Sequence, residues 1–207
     1  MMKIAVLGAG AMGCLYAAML SGRNAVTLYD AIPAVVDAVN GHGVICREAD
    51  GTERTCRIPA RLAGDCDGGY DLVILFVKDL FSRSALETNR AVIGPDTLLL
   101  SLQNGMGNEE IMREFADPAR ILLGTTKHNC VTLTPGEIYH SGAGMTHIGS
   151  PVGNRAAAEK VAALFRESGT DAEECDSVRH LLWEKLFVNM TVNPLTALLD
   201  APIGTLA

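Results

Sequence analysis

Lys185, Asn189 and Asn193 follow one another at intervals of four residues, so on a helix they form a single polar stripe. Their neighbours are apolar: Leu181, Leu182, Leu186, Val188, Val192 and Leu195. An ammonium and two amides in such surroundings need partners, because burying them unpaired is costly. A small polar substrate is one such partner, and a neighbouring protein group is the other. The chemistry within reach is proton donation. An ordinary lysine, with a pKa of about 10.4, is charged at neutral pH and can give a proton to a developing oxyanion. Asparagine both donates to and accepts from hydroxyl and carboxylate groups.

A second constellation stands at the other end of the chain. Residues 2–7 read as a short buried strand, followed by Gly8-Ala9-Gly10-Ala11-Met12-Gly13 and an apolar helix to Leu20. With a second strand at 25–29, this is a G-x-G-x-x-G in the strand–turn–helix context of a dinucleotide site. Gly8 permits the tight turn, Gly10 the approach of a pyrophosphate, and Gly13 close contact between helix and strand. The helix N-terminus offers N–H groups and a positive dipole end to phosphate. Asp30 ends the second strand 17 residues after Gly13. There a carboxylate accepts from a ribose 2′-hydroxyl and repels a 2′-phosphate, which favours NAD(H).

The elements that position these groups alternate between strand and helix in the first half, the mark of a parallel sheet with crossover helices. Helices are predicted at 32–40, 80–90 and 108–115, and strands at 72–77, 97–102 and from 121 onward. The run at 72–77 is continuously apolar, as in a strand covered on both faces. Residues 44–46 and 55–58 predict a hairpin around Asp50-Gly51. Beyond Thr125 the pattern changes: 131–133, 138–140 and 146–148 predict antiparallel strands with glycine-rich turns. A helix at 156–167 and an edge strand at 172–175 follow. The Lys185 helix then begins near Ser177 as N-cap. Pro194 lies within it and predicts a kink, a break or the helix end near Asn193. The organisation expected is an α/β Rossmann-type domain over 1–176 and the first helix of a helical substrate domain over 177–207.

Bulk properties remove whole classes of function. The chain has 207 residues, 48% of them hydrophobic and 20% charged, which fits a globular core. A net charge of −7 argues against nucleic acid or an anionic membrane as partner. No apolar run approaches the roughly 20 residues that cross a bilayer. The first apolar run is short and leads directly into the glycine motif, so it reads as a core strand rather than a signal peptide. The six cysteines (Cys14, Cys46, Cys56, Cys66, Cys130 and Cys175) are scattered without metal-ligand spacing. That usage fits free thiols in a reducing cytoplasm and suggests no metal site.

Taken together these motifs identify a resemblance to the ketopantoate reductase (2-dehydropantoate 2-reductase) family. It covers essentially the whole chain. It rests on Gly8 to Gly13, Val77-Lys78, Asn104-Gly105-Met106-Gly107, Gly124-Thr125-Thr126 and Thr146-His147-Ile148-Gly149. Most specific is Trp183-Glu184-Lys185 with Val188-Asn189 and Val192-Asn193-Pro194-Leu195-Thr196-Ala197. The resemblance implies hydride transfer from NADPH or NADH to the ketone of ketopantoate, giving D-pantoate for coenzyme A synthesis. It implies that Lys185 is the general acid and that Asn189, Asn193 and Asn104 meet the substrate. It further implies that Gly8, Ala9, Gly10, Ala11, Met12, Gly13, Asp30, Lys78, Asn104 and Cys130 line the cofactor. A soluble cytoplasmic enzyme, acting on a small 2-keto acid as a homodimer, is the form expected.

Three departures qualify that expectation. Relatives using NADPH commonly place arginine directly after the second strand, where this chain has Ala31; Arg23 is the nearest basic alternative. A family asparagine that reaches the substrate is matched by Ile203, which would suit a more apolar 2-keto acid and a D-2-hydroxyacid dehydrogenase activity. Members of the family also continue past the position of Ala207, with a later glutamate and serine that hold cofactor and substrate. The sequence is therefore expected to be a fragment that binds dinucleotide and turns over poorly. A dinucleotide-binding module without catalysis is the contrasting class; the retained Lys185 and asparagines speak for an enzyme.

Overall fold

Alternate residues of the central strands leave on opposite faces of one sheet. In β1 (Lys3–Leu7), Ile4 and Val6 enter one core while Ala5 and Leu7 enter the other. In β6 (Leu72–Leu75), Leu72 and Ile74 part from Val73 and Leu75 in the same way. This is why these runs are apolar throughout: each residue is covered whichever way it points. The computed structural model describes residues 1–205; the side chain of Ile203 lies outside the description.

The face holding Ile4 and Val6 is covered by α1 (Ala11–Leu20), α2 (Pro33–His42) and α5 (Arg155–Glu167). The opposite face receives Leu86 of α3 (Ser82–Thr88), Met112 of α4 (Asn108–Met112), and Val178 and Leu182 of α6 (Val178–Leu199). The eight-stranded sheet adds β2 (Ala25–Asp30), β5 (Ala60–Leu62), β7 (Leu98–Ser101), β8 (Ile121–Thr126), β11 (Thr146–Gly149) and β12 (Ala172–Glu174). Its order is β12-β11-β8-β7-β6-β1-β2-β5. All neighbours run parallel except β8 and β11. From β1 the chain proceeds to β2 and β5 on one side and later to β6, β7 and β8 on the other. The order therefore reverses between β1 and β6, where ligands of open α/β sheets bind.

A second sheet, β4-β3-β10-β9, is formed by β3 (Val44–Glu48), β4 (Glu53–Cys56), β9 (Asn129–Thr134) and β10 (Glu137–Gly142). It buries Val44, Cys46 and Ile138 behind α1. The expected hairpin forms as β3–β4, with Cys46 opposite Arg54 and Cys56 opposite Val44; all six cysteines are free.

Two expectations need correction. The strands near 131, 138 and 146 do not make one antiparallel group. β9 pairs antiparallel with β10, but β10 also runs parallel to β3, and β11 joins the main sheet against β8. Helix α6 does not break at Pro194 but continues to Leu199. Ser177 does stand at the N-cap of that helix as expected, though its side chain makes no capping bond. The strand β5 was hidden in sequence because its three residues carry no alternation of their own and depend on pairing with β2.

Candidate active site

The three motif glycines occupy three different environments. Gly8 has φ +101°, and its N–H donates to Tyr29 O at 2.8 Å, tying the turn to β2. An added Cβ there would lie 2.9 Å from Val77 N. At Gly13 an added Cβ would meet Gly8 O at 1.8 Å, so α1 rests directly on the turn. Around Gly10 an added Cβ would find nothing within 4 Å. The glycine is kept there by open space in front of the backbone, not by crowding. No side chain caps α1, so its first-turn N–H groups are left for an anion.

Asp30 holds this turn in place. Its Oδ2 accepts from Ala9 N–H at 2.7 Å and its Oδ1 from Ile32 N–H at 2.9 Å. A carboxylate has further lone pairs, so both bonds leave room to accept from a ligand hydroxyl. Beside it opens a cavity of about 720 Å³, lined among others by Gly8, Gly10, Asp30, Phe76 and Lys78. Its apolar walls and single carboxylate suit an adenosine half, and the open side of Gly10 suits a diphosphate. The residues present therefore fit a nicotinamide dinucleotide. Lys78 is exposed at the mouth, directly beyond β6.

Cys130 and Cys14 lie against the same loop as packed thiols. Cys14 donates to Ala9 O at 3.2 Å and Cys130 to Ala11 O at 3.6 Å. Burial raises both to about 12, so neither forms a thiolate at neutral pH.

Asn104 lies just past the carboxyl end of β7, exposed and with no side-chain hydrogen bond among the described residues. Sequence reading missed the residue that positions it. Gln103 is buried, and its Nε2 donates to Val77 O at 2.6 Å and to Ser82 Oγ at 2.9 Å, while Ser101 Oγ donates to its Oε1 at 2.9 Å. The loops after β6 and β7 are thereby fastened together. The signal available was an amide directly following the apolar run of β7, where only a partnered polar group is tolerated.

Lys185 folds inward. Its Nζ donates to Thr126 O at 2.9 Å, at the carboxyl end of β8. Burial alone depresses its pKa below the ordinary lysine value. The helix that carries it is fixed by Leu182 in the core and by Arg179, whose guanidinium forks onto Glu109 of α4 at 2.7 and 3.0 Å. Asn189 is half-buried and Asn193 exposed. The side chains of both are without hydrogen bonds to the described residues. The ends of β1, β6, β7 and β8 share one edge of the sheet. Gly8, Lys78, Asn104 and the Lys185–Thr126 contact thus gather along that edge. No group of three or more metal-ligating side chains occurs among the described residues.

The chain is similar in sequence and in fold to known proteins. The family model described as ketopantoate reductase PanE/ApbA matches residues 4–153, and its C-terminal counterpart matches residues 177–207. The 2-dehydropantoate 2-reductase of Halobacterium salinarum is 34% identical over 99% of this chain and 68% of its own length. Among solved structures, D-mandelate dehydrogenase with NADH and anilino(oxo)acetate superposes with a TM-score of 0.91. It has 33% identity and covers 96% of this chain and 65% of that one. The 2-dehydropantoate 2-reductase from Geobacter metallireducens gives 0.87 and 30%, over 97% of this chain and 66% of that one. The chain thus spans about two thirds of the relatives it matches.

Proposed function

We propose that this chain, which belongs to the ketopantoate reductase family, carries the cofactor site and proton donor of an enzyme that reduces a 2-keto acid to the 2-hydroxy acid. The observation that carries this reading is the inward-folded Lys185, held by Thr126 O at the sheet edge that also bears the glycine turn. When bound, the reduced nicotinamide supplies a hydride to the ketone carbon. Gly8, Gly10 and the α1 N-terminus would hold the diphosphate, and Asp30 would accept from the adenosine ribose. As the carbonyl π-pair moves onto oxygen, Lys185 Nζ gives that oxygen a proton, becomes a neutral amine and is reprotonated from solvent. Acid catalysis of this kind contributes about 10²–10⁴-fold. Asn189, Asn193 and Asn104 orient the carboxylate and hydroxyl groups of the substrate. Residues 177 onward begin its second, helical unit.

Ketopantoate is the substrate favoured by the family, with the reaction placed in the reducing cytoplasm that six free thiols suit. NADH is the favoured cofactor, on the strength of Asp30 and the uncharged Ala31. A second reading, reduction of an aryl or branched apolar 2-keto acid, is favoured by the likeness to D-mandelate dehydrogenase, solved with NADH. Oxidation of NADH and NADPH against a panel of 2-keto acids, with Lys185→Ala as control, decides between them. Ketopantoate leading the panel supports the first reading and phenylglyoxylate the second. Unchanged turnover in Lys185→Ala would refute both.

A further inference from the structure

The acceptor that holds Lys185 is itself held by a buried chain of hydroxyl groups. Tyr16 of α1 has no solvent exposure. Its hydroxyl donates to Thr126 Oγ1 at 2.8 Å and lies 2.6 Å from Thr146 Oγ1. Thr126 Oγ1 also accepts from His128 N–H at 3.2 Å. A phenol has one proton, so with that proton on Thr126 the contact with Thr146 must be donated by the threonine. The direction runs Thr146 to Tyr16 to Thr126, and both acceptor positions of Thr126 Oγ1 are filled. Burial raises the Tyr16 phenol to about 12, which keeps the donor protonated.

Tyr16 also touches the cofactor side. Its ring stands 4.9 Å from that of Phe76, which lines the large cavity, and 5.6 Å from that of Phe165. We infer that Tyr16, through Thr126, is the positioning residue that sets where Lys185 stands relative to the dinucleotide helix, an inference that rests on Lys185 being the proton donor. The peptide that bears the Thr126 carbonyl is tied through its own N–H, from Lys127 to Met145 O at 3.0 Å, and is spanned by the His128 N–H bond to Thr126 Oγ1. Tyr16 fixes the rotamer of that Oγ1 and so completes the hold that keeps the carbonyl aimed at Nζ. Because Tyr16 sits on the same helix as the glycine turn, the donor and the cofactor site are registered through one side chain. Competing charges along α6 are engaged elsewhere, Arg179 with Glu109 and Glu184 with His180. Behind Thr126, His128 is bonded to His140, and His140 to Glu48.

The experiment follows the Lys185 amine directly. Acetylation of Lys185 by acetic anhydride is measured against pH by mass spectrometry, in wild type and Tyr16→Phe, together with NADH binding and turnover. With the pinning lost, the amine escapes toward solvent. Its labelling midpoint moves up toward that of a free lysine side chain, its limiting labelling rate above that midpoint rises several-fold, and kcat falls about tenfold. KM for NADH stays within about twofold, since no cofactor contact is removed. Should Tyr16→Phe fold poorly, Thr126→Val gives the same labelling change and Thr126→Ser restores wild-type labelling. An unchanged midpoint and rate in folded Tyr16→Phe or Thr126→Val overturns the inference. Full turnover in Lys185→Ala would instead remove the proton-donor reading and leave the labelling result standing.

Discussion

Gly10 and Gly13 stand three residues apart in one motif, yet their substitution by alanine should produce opposite outcomes. At Gly13 the added carbon would lie 1.8 Å from Gly8 O, a backbone atom that cannot swing aside. Relief requires lifting α1 from the turn. Overpacking of this kind costs ~3 kcal/mol or more. For a chain of this size that lowers the thermal midpoint by ~6–12 °C. At Gly10 φ is −75° and ψ −170°, a conformation alanine adopts without strain, and nothing lies within 4 Å. Gly10→Ala should therefore stabilise the empty chain by ~0.5 kcal/mol through the unfolded state. The same methyl group projects into the space proposed for the diphosphate, so the NADH dissociation constant should rise at least tenfold, or ~1.4 kcal/mol. Differential scanning fluorimetry without ligand, paired with titration calorimetry of NADH, separates the two effects. The reasoning is refuted if Gly10→Ala melts as early as Gly13→Ala, or if it binds NADH as tightly as wild type.

Asp30→Ala removes the acceptor of Ala9 N–H and Ile32 N–H. It should weaken NADH about tenfold and erode any preference over NADPH, measured by fluorescence titration of both; a preserved preference would assign discrimination elsewhere. The pH profile of kcat should carry an alkaline limb set by Lys185. With the charged amine as the proposed donor and its pKa lowered by burial, activity should be full below that pKa and fall as pH rises through it, earlier than about 10.4. A limb at or above that value contradicts the buried donor. Arg179→Met leaves Glu109 with Arg113 alone. Because Arg179 is half exposed, the loss should be only ~1 kcal/mol, or ~2–4 °C, and smaller still in high salt.

Which parts of this were legible in the sequence follows from what each signal depends on. The glycine turn and the strands around it were readable, because each rests on local geometry that few residues satisfy. So was the stripe of Lys185, Asn189 and Asn193, whose spacing alone determines its face. The strand order that reverses between β1 and β6 was not, because it depends on long-range pairing. Tyr16 and Thr126 were not readable, because their roles arise from contacts between elements distant in the chain, and Gln103 offered only its position after the apolar run of β7. Tyr16 and Thr126 are 110 positions apart. The strands near 131–148 were legible as strands but not in their partners, since pairing is decided by the sheet each edge meets. The break or helix end expected at Pro194 failed for a related reason: a proline removes one N–H, but it does not reveal whether the flanking turns hold the helix together.

The tertiary anchors of α6 sit at its beginning: Val178, Leu182, the Arg179–Glu109 fork and the Lys185–Thr126 bond. Beyond them Phe187, Val188, Met190, Leu195, Leu198 and Leu199 face outward. Among the described residues, the contacts of α6 with the sheet thus gather at one end, which acts as a clamp. Asn193 lies eight residues past Lys185, or ~12 Å along the axis at 1.5 Å per residue. A tilt of about 5° at the clamp would displace that amide by ~1 Å, a misplacement that can cost ~100-fold in rate. On the proposed reading of Asn189 and Asn193 as substrate amides, alignment would depend on the stiffness of this rod, and a change far from either asparagine would detune both at once.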